Sequence, residues 1–160
     1  MMDPLGKSPI PLPLLIIGKT AMIASWLLLF LKSWVSGGIL YDSAVTRAAG
    51  IFLFTLGSAM AILSIVNLGR SISVGIPQQQ TELKTHGLYR ISRNPIYLGA
   101  FLMCAGSCLY TLHIVNIIFF AITVLEHHAI IKKEELFLEE RFGDRWREYK
   151  ARVPRYVGSF

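Results

Sequence analysis

Charge is scarce in this sequence. Asp, Glu, Lys and Arg make up 16% of its 160 residues, hydrophobic residues make up 53%, and the mean hydropathy is +0.51. An ordinary soluble domain needs more polar surface than this, so the composition points to a bundle whose outside faces lipid. Cysteine is nearly absent. Cys104 and Cys108 are the only two, four apart in an apolar run, where they share one helix face and a disulfide between them has poor geometry. They read as small packing residues. Histidine is also sparse: His86, His113, His127 and His128 form no H-E-x-x-H or related spacing, so no metal site is expected. A G-x-S-x-G elbow, a P-loop and a G-x-G-x-x-G turn are all missing, which leaves hydrolase and nucleotide-fold readings without support. The N-terminus has no basic start and no small-x-small cleavage site, so its first apolar run is expected to remain.

The apolar residues fall into four runs within one domain, 1–160. Leu12 to Trp34 is the first span and Ala48 to Leu68 the second, together the N-terminal transmembrane part, 12–68. Lys19 intrudes on the first and is expected to snorkel towards an interface. The second is rich in Gly50, Gly57, Ser58, Ala59 and Ala61, which permits close helix packing. Pro95 opens a third span to about Leu112, Pro being suited to the first helical position. His113 and Asn116 form a reversal, and Ile114 to about Ile131 is the fourth span. From His127 to Val153, Ile131, Leu138, Phe142, Trp146 and Tyr149 recur at helical spacing among charges. That pattern predicts an amphipathic helix, interrupted near Gly143, at the membrane interface or folded over the bundle. The expected class is therefore an all-α, polytopic membrane helix bundle of about four transmembrane helices with a C-terminal amphipathic helix.

The formal charge is +6, but the basic residues flank apolar spans, so membrane topology accounts for them and no nucleic-acid partner is expected. Arg70, Lys84, Arg90 and Arg93 lie between spans two and three. Lys132, Lys133, Arg141, Arg145, Arg147, Lys150, Arg152 and Arg155 lie in the tail, and the reversal between spans three and four has no Lys or Arg. The positive-inside rule puts the long loop and the tail together on the cytoplasmic side.

Two polar clusters could carry chemistry. The first, Thr81 to Gly99, holds His86, Tyr89, Arg90, Arg93, Asn94 and Tyr97 and runs straight into a membrane helix. Gly87 allows an unusual turn, and the free amides behind Pro95 favour an anion. A basic juxtamembrane loop with aromatic anchors would show many of the same residues. The second is Glu126-His127-His128 followed by Lys132-Lys133-Glu134-Glu135. Glu134 and Glu135 flank the apolar stripe of the tail, where a carboxylate needs a partner such as Arg90, Arg93 or a cationic ligand. A solvated acidic pair is the alternative.

These segments, T-H-G-L-Y-R-I-S-R-N-P-I-Y-L-G and E-E-L-F-L-E-E-R-F-G-D-R-W-R-E-Y-K-A-R-V-P-R-Y, resemble the isoprenylcysteine carboxyl methyltransferases and, more broadly, the phospholipid methyltransferases of membranes. The resemblance covers about 80–156. It implies methyl transfer from S-adenosyl-L-methionine to an apolar or lipid-like acceptor, with the tail helix closing a cofactor pocket on the cytoplasmic side. The residues it assigns to the cofactor are Thr81, Leu83, Lys84, Gly87, Tyr89, Asn94, Pro95, Tyr97 and Glu134, with Glu134 on the methionine ammonium and Arg152 closing the site. Arg93 is expected to orient the acceptor or offset its charge, and Glu135, His86 and His127 are candidate bases. Asn94 stands where the prenylcysteine enzymes carry His, and Ile130 stands near the position of an Arg in those enzymes. The chain is also shorter, which suits a small relative from a prokaryotic membrane. An NADPH-dependent reductase of the sterol reductase type and a non-catalytic membrane subunit are the rival readings.

Overall fold

The computed structural model describes residues 10–34, 37–68 and 82–158. Five α-helices follow one another: α1 Leu12–Leu31, α2 Ala44–Leu68, α3 Pro95–Thr111, α4 Ile114–Phe142 and α5 Asp144–Arg152. A short 3-10 turn, Lys32–Trp34, closes α1, and another, Gly87–Arg90, precedes α3. Three helices, α1, α2 and α4, are long and apolar enough to cross a membrane, while α3 is apolar but only 17 residues long.

The helix ends follow local chemistry. Ser43 and Thr46 bond reciprocally, with Thr46 N donating to Ser43 Oγ (3.1 Å) and Ser43 N to Thr46 Oγ1 (3.2 Å). That box satisfies two amides and starts α2 at Ala44, four residues earlier than apolarity alone suggests. Pro95 opens α3. Leu112, with φ +40°, ends α3, and the His113 side chain accepts from Val115 N (3.2 Å) to start α4.

The larger departure from the sequence reading concerns α4. The fourth span and the first part of the expected tail helix are one uninterrupted helix of 29 residues. Between Ile114 and Phe142 there is no Gly or Pro to stop it, and the Lys-Lys-Glu-Glu stretch propagates helix well. The interruption comes at Gly143, whose φ of +52° suits glycine. At 1.5 Å per residue α4 is about 43 Å long, well beyond an apolar core of about 30 Å, so its charged end projects past the lipid tails.

The packing has a simple plan. α2 lies along α3, and α1 lies against α4 and α3. A Cβ added to Gly57 would sit 2.6 Å from the Gly99 carbonyl oxygen. Backbones can approach that closely only without side chains between them. At the C-terminus, Trp146, Tyr149 and Val153 form a buried cluster against Leu83, Leu138 and Phe142. The predicted apolar stripe of the tail is thus the face that packs. α5 rests on the extension of α4 and on the segment leading into α3.

Candidate functional site

The charged end of α4, the turn before α3 and the residues after α5 converge. Glu135 is the hub. Arg93 donates from Nε to its Oε1 (3.1 Å), and the guanidinium also places Nη2 at 3.1 Å. Arg155 donates from Nη2 to Oε2 (2.7 Å) and from Nε at 3.2 Å. The Arg93 and Glu135 side chains are each only 7% exposed, so this is a buried, charge-assisted pair rather than a surface contact. The Glu135 hydrogen bond is the leading cause that raises the Arg155 guanidinium further above its ordinary range.

Arg93 does more than pair. Its Nη1 donates to the carbonyls of Lys150 (2.9 Å) and Val153 (2.8 Å), and its backbone N–H donates to Pro154 O (2.9 Å). Ser92 Oγ donates to Arg155 O (3.0 Å), and Asn94 Nδ2 donates to the same carbonyl (3.3 Å). The turn Ser92–Asn94 is therefore stapled to the chain that follows α5. Tyr149 Oη adds a bond to the Tyr89 carbonyl (2.6 Å). Burial, with the Glu134 charge adding to it, pushes the Tyr89 phenol up to about 12. The Tyr149 phenol moves the same way for the same main cause, burial. Neither phenol ionises near neutral pH.

Glu134 lies one residue from the hub and is treated very differently. Among the described residues its hydrogen-bond donor is Tyr97, whose Oη lies 2.9 Å from Oε1. The Tyr97 ring stands edge-on to His127 at 5.6 Å between centroids. Phe101 stands edge-on to both His127 (6.2 Å) and Tyr156 (5.8 Å), and His128 Nδ1 meets Tyr156 Oη at 2.8 Å. The C-terminal segment thus folds back onto α3 and α4.

The expected site residues divide accordingly. Arg93, Glu135, Asn94, Tyr89, Tyr97, Glu134 and the buried Pro95 come together. Leu83 joins the Trp146 cluster. Lys84 pairs with Glu82 (3.0 Å), and His86 is exposed. Gly87 adopts φ +59° against the Asn67 side chain at the end of α2. Thr81 lies outside the described residues. Arg152 does not reach the hub: it is exposed, and its Nε donates to Glu148 O (3.2 Å). Pro154 follows α5 and turns the chain, so that Arg155 enters instead. Arg93 and Glu135 are saturated by each other and by the tail, so of the partners the sequence offered the acidic pair it is Arg93 that meets Glu135.

Sequence reasoning missed Ser92, Arg155 and Lys19. Pro154, as a stop after α5, is the one local signal for Arg155. Lys19 does not snorkel. Its Nζ lies 3.2 Å from His127 Nε2, inside the bundle. A cleft lined by Leu28, Lys32, Ile39, Thr111 and His113 lies at the other end of α1 and takes no part in this group.

Comparison with known proteins bears on this group. The phospholipid methyltransferase family profile matches residues 45–145. Protein-S-isoprenylcysteine O-methyltransferase B of Arabidopsis thaliana is 32% identical over 109 residues, 66% of this chain and 55% of that protein. Protein-S-isoprenylcysteine O-methyltransferase A of the same plant is 30% identical over 156 residues, 92% of this chain and 78% of the relative. The Schizosaccharomyces pombe protein-S-isoprenylcysteine O-methyltransferase is 25% identical over 115 residues, 69% of this chain and 49% of that protein. This chain therefore spans about half the length of Arabidopsis protein B and of the yeast relative. With a profile match over more than half of its 160 residues and an aligned relative at 30% identity, the chain belongs to the phospholipid methyltransferase family of membrane proteins.

Proposed function

We propose that this protein transfers a methyl group from S-adenosyl-L-methionine to an apolar or lipid-like acceptor at the cytoplasmic face of a membrane. The observation that carries the reading is the contrast at Glu134: a half-buried carboxylate among aromatic rings, met by one neutral phenol, beside a second carboxylate that two arginines saturate. A carboxylate so placed calls for a cation, and the ammonium of a methionine moiety fits it. Family membership supports methyl transfer as the chemistry. α3 then serves as a fourth crossing with α1, α2 and α4, and the basic loop and tail face the cytoplasm.

When bound, the cofactor supplies a methyl group activated on a sulfonium. The chain's own residues do the rest. Glu134 holds the ammonium, and Tyr97 fixes its orientation. Leu83, Trp146, Tyr149 and Val153 make an apolar wall that keeps out water. Arg93, Glu135 and Arg155 lock the C-terminal segment in place as a roof, so they position the site and do not hold the acceptor. This roof must open for a bulky cofactor, in the manner of a lid.

Calorimetric titration of S-adenosyl-L-methionine and of its demethylated product into detergent-purified protein tests the reading. Both should bind wild type, and Glu134→Ala should weaken them by at least about tenfold, the loss of a hydrogen bond to a charged group. Folded wild-type protein that binds neither would overturn the proposal.

A further inference from the structure

Lys19 is the only charged residue of α1, and it turns into the bundle. A cation in a membrane helix is costly, and where it is kept it has a partner and a use. Its Nζ can only donate, so His127 Nε2, 3.2 Å away, accepts. The single N–H of a neutral imidazole is then on Nδ1, which has the Thr123 carbonyl at 2.9 Å and Glu126 Oε2 at 2.5 Å. Lys19, His127 and Glu126 thus form one chain of cation, neutral ring and anion that carries no net charge. α1 closes on this chain at Gly18, where any Cβ would collide with the Glu126 side chain. The imidazole, 1% exposed, is held at both of its nitrogens.

A ring fixed in this way is a firm support, and two side chains of α3 stand edge-on to it, Tyr97 at 5.6 Å and Phe101 at 6.2 Å. They lead to the two parts of the proposed site. The Tyr97 hydroxyl donates to Glu134, and the Phe101 ring meets Tyr156 of the C-terminal segment. We propose that Lys19 is a positioning residue for the cofactor site, acting through His127 to hold the Tyr97 hydroxyl at Glu134. Without the Lys19 donor, Nε2 loses its partner and the ring can turn about its last side-chain bond. The edge on which Tyr97 rests then moves, and the Tyr97–Glu134 bond loosens. α1 therefore sets the strength of a site built on α3 and α4. This use of the chain rests on the function proposed above; the chain itself does not.

A double-mutant cycle provides the test, with S-adenosyl-L-methionine titrated into the full chain in detergent and melting temperature measured alongside. Lys19→Met should weaken binding severalfold, up to the about tenfold that follows loss of a hydrogen bond to a charged group. Added to Tyr97→Phe, it should weaken binding no further, because both changes break the same chain, whereas independent effects multiply. Lys19→Arg, which keeps a cationic donor, should bind closer to wild type. Lys19→Met with Glu126→Gln removes both charges at once and should show the same loss and the same failure to multiply, which keeps the test open if the single variant does not fold. Folded Lys19→Met protein that binds like wild type, effects that multiply, or an Arg variant as weak as the Met variant would each overturn the proposal. Nitrogen-15 spectra of the histidines, assigned with His127→Gln, keep the two readings apart. Wild-type His127 should be neutral and protonated at Nδ1. Cofactor binding with a ring protonated at Nε2 removes the role of Lys19 and leaves the methyl-transfer reading. A ring protonated at Nδ1 without cofactor binding removes the methyl-transfer reading, and with it the use drawn from this chain.

Discussion

The α2–α3 seam and the C-terminal clamp hold two parts of one small bundle by opposite means. The seam is a contact of shape: Gly57 and Gly99 bring backbones together with no side chain between them. The clamp is a contact of charge: Arg93 and Arg155 converge on Glu135, and the Arg93 guanidinium, the Ser92 hydroxyl and the Asn94 amide hold the tail by its carbonyls. In lipid no hydrophobic force pulls helices together, so close fit does that work. Beyond the lipid tails a chain end has no such groove, and directed hydrogen bonds must place it. The candidate site lies at the junction: Tyr97 sits in the first turn of α3 and Glu134 on the charged part of α4. The pair Glu134–Glu135 repeats the contrast at residue scale, one carboxylate saturated and the other nearly free.

Substitutions can break this comparison, beginning with the seam. Gly57→Leu should prevent recovery of folded protein or cost about 3 kcal/mol or more, because backbone cannot yield as a side chain tip can. A monodisperse, thermally unshifted variant in size exclusion and melting would show that the seam is looser than its geometry. Glu135→Ala comes next. It removes the carboxylate between two arginines and leaves Arg93 buried with only carbonyl partners, at a cost of about 2–4 kcal/mol. Proteolysis should then cut first after α5, while α1 to α3 stay protected. Uniform cleavage along the chain would deny that the clamp is separate from the seam.

Tyr97→Phe should have a smaller effect. Loss of the Tyr97 donor to Glu134 should weaken S-adenosyl-L-methionine binding by about tenfold and leave the melting temperature nearly unchanged. A large fall in melting temperature with cofactor affinity intact would make the Tyr97–Glu134 bond structural. Least of all, Arg47→Ala, which loses an exposed contact with Asp42 (2.9 Å), should not shift melting measurably, since two solvated side chains gain little by meeting.

Much of the fold could be read in advance because lipid imposes strict rules on sequence. The apolar runs, Pro95 at a helix start, Gly143 as a stop and the stripe from Ile131 to Tyr149 all carry local signals, and all recur in the structure. Other features lacked such a signal. The Ser43–Thr46 box lies in hydrophilic sequence and lengthened α2 unannounced. α4 ran on because nothing in it stops a helix, although its hydropathy changes midway. In the site, Tyr97, Arg93 and the acidic pair stood out by type and by order in the chain. Arg155 and Lys19 did not, since each enters from a segment far away in sequence: Arg155 meets Glu135 across 20 residues and Lys19 meets His127 across 108.

By itself the sequence determined a lipid-facing helical bundle, the order of its helices, the side on which its charges gather and the residue types able to bind a cation. These follow from hydropathy, helix-stop residues and charge, which act locally. Only the tertiary structure decided which glutamate is met by two arginines and which by a phenol, that Arg155 takes the place beside Glu135, and that a lysine of α1 turns inward to His127. Those outcomes depend on which side chains from distant segments reach the same few ångströms, and a carboxylate's surroundings are a property of that meeting and not of its neighbours in the chain.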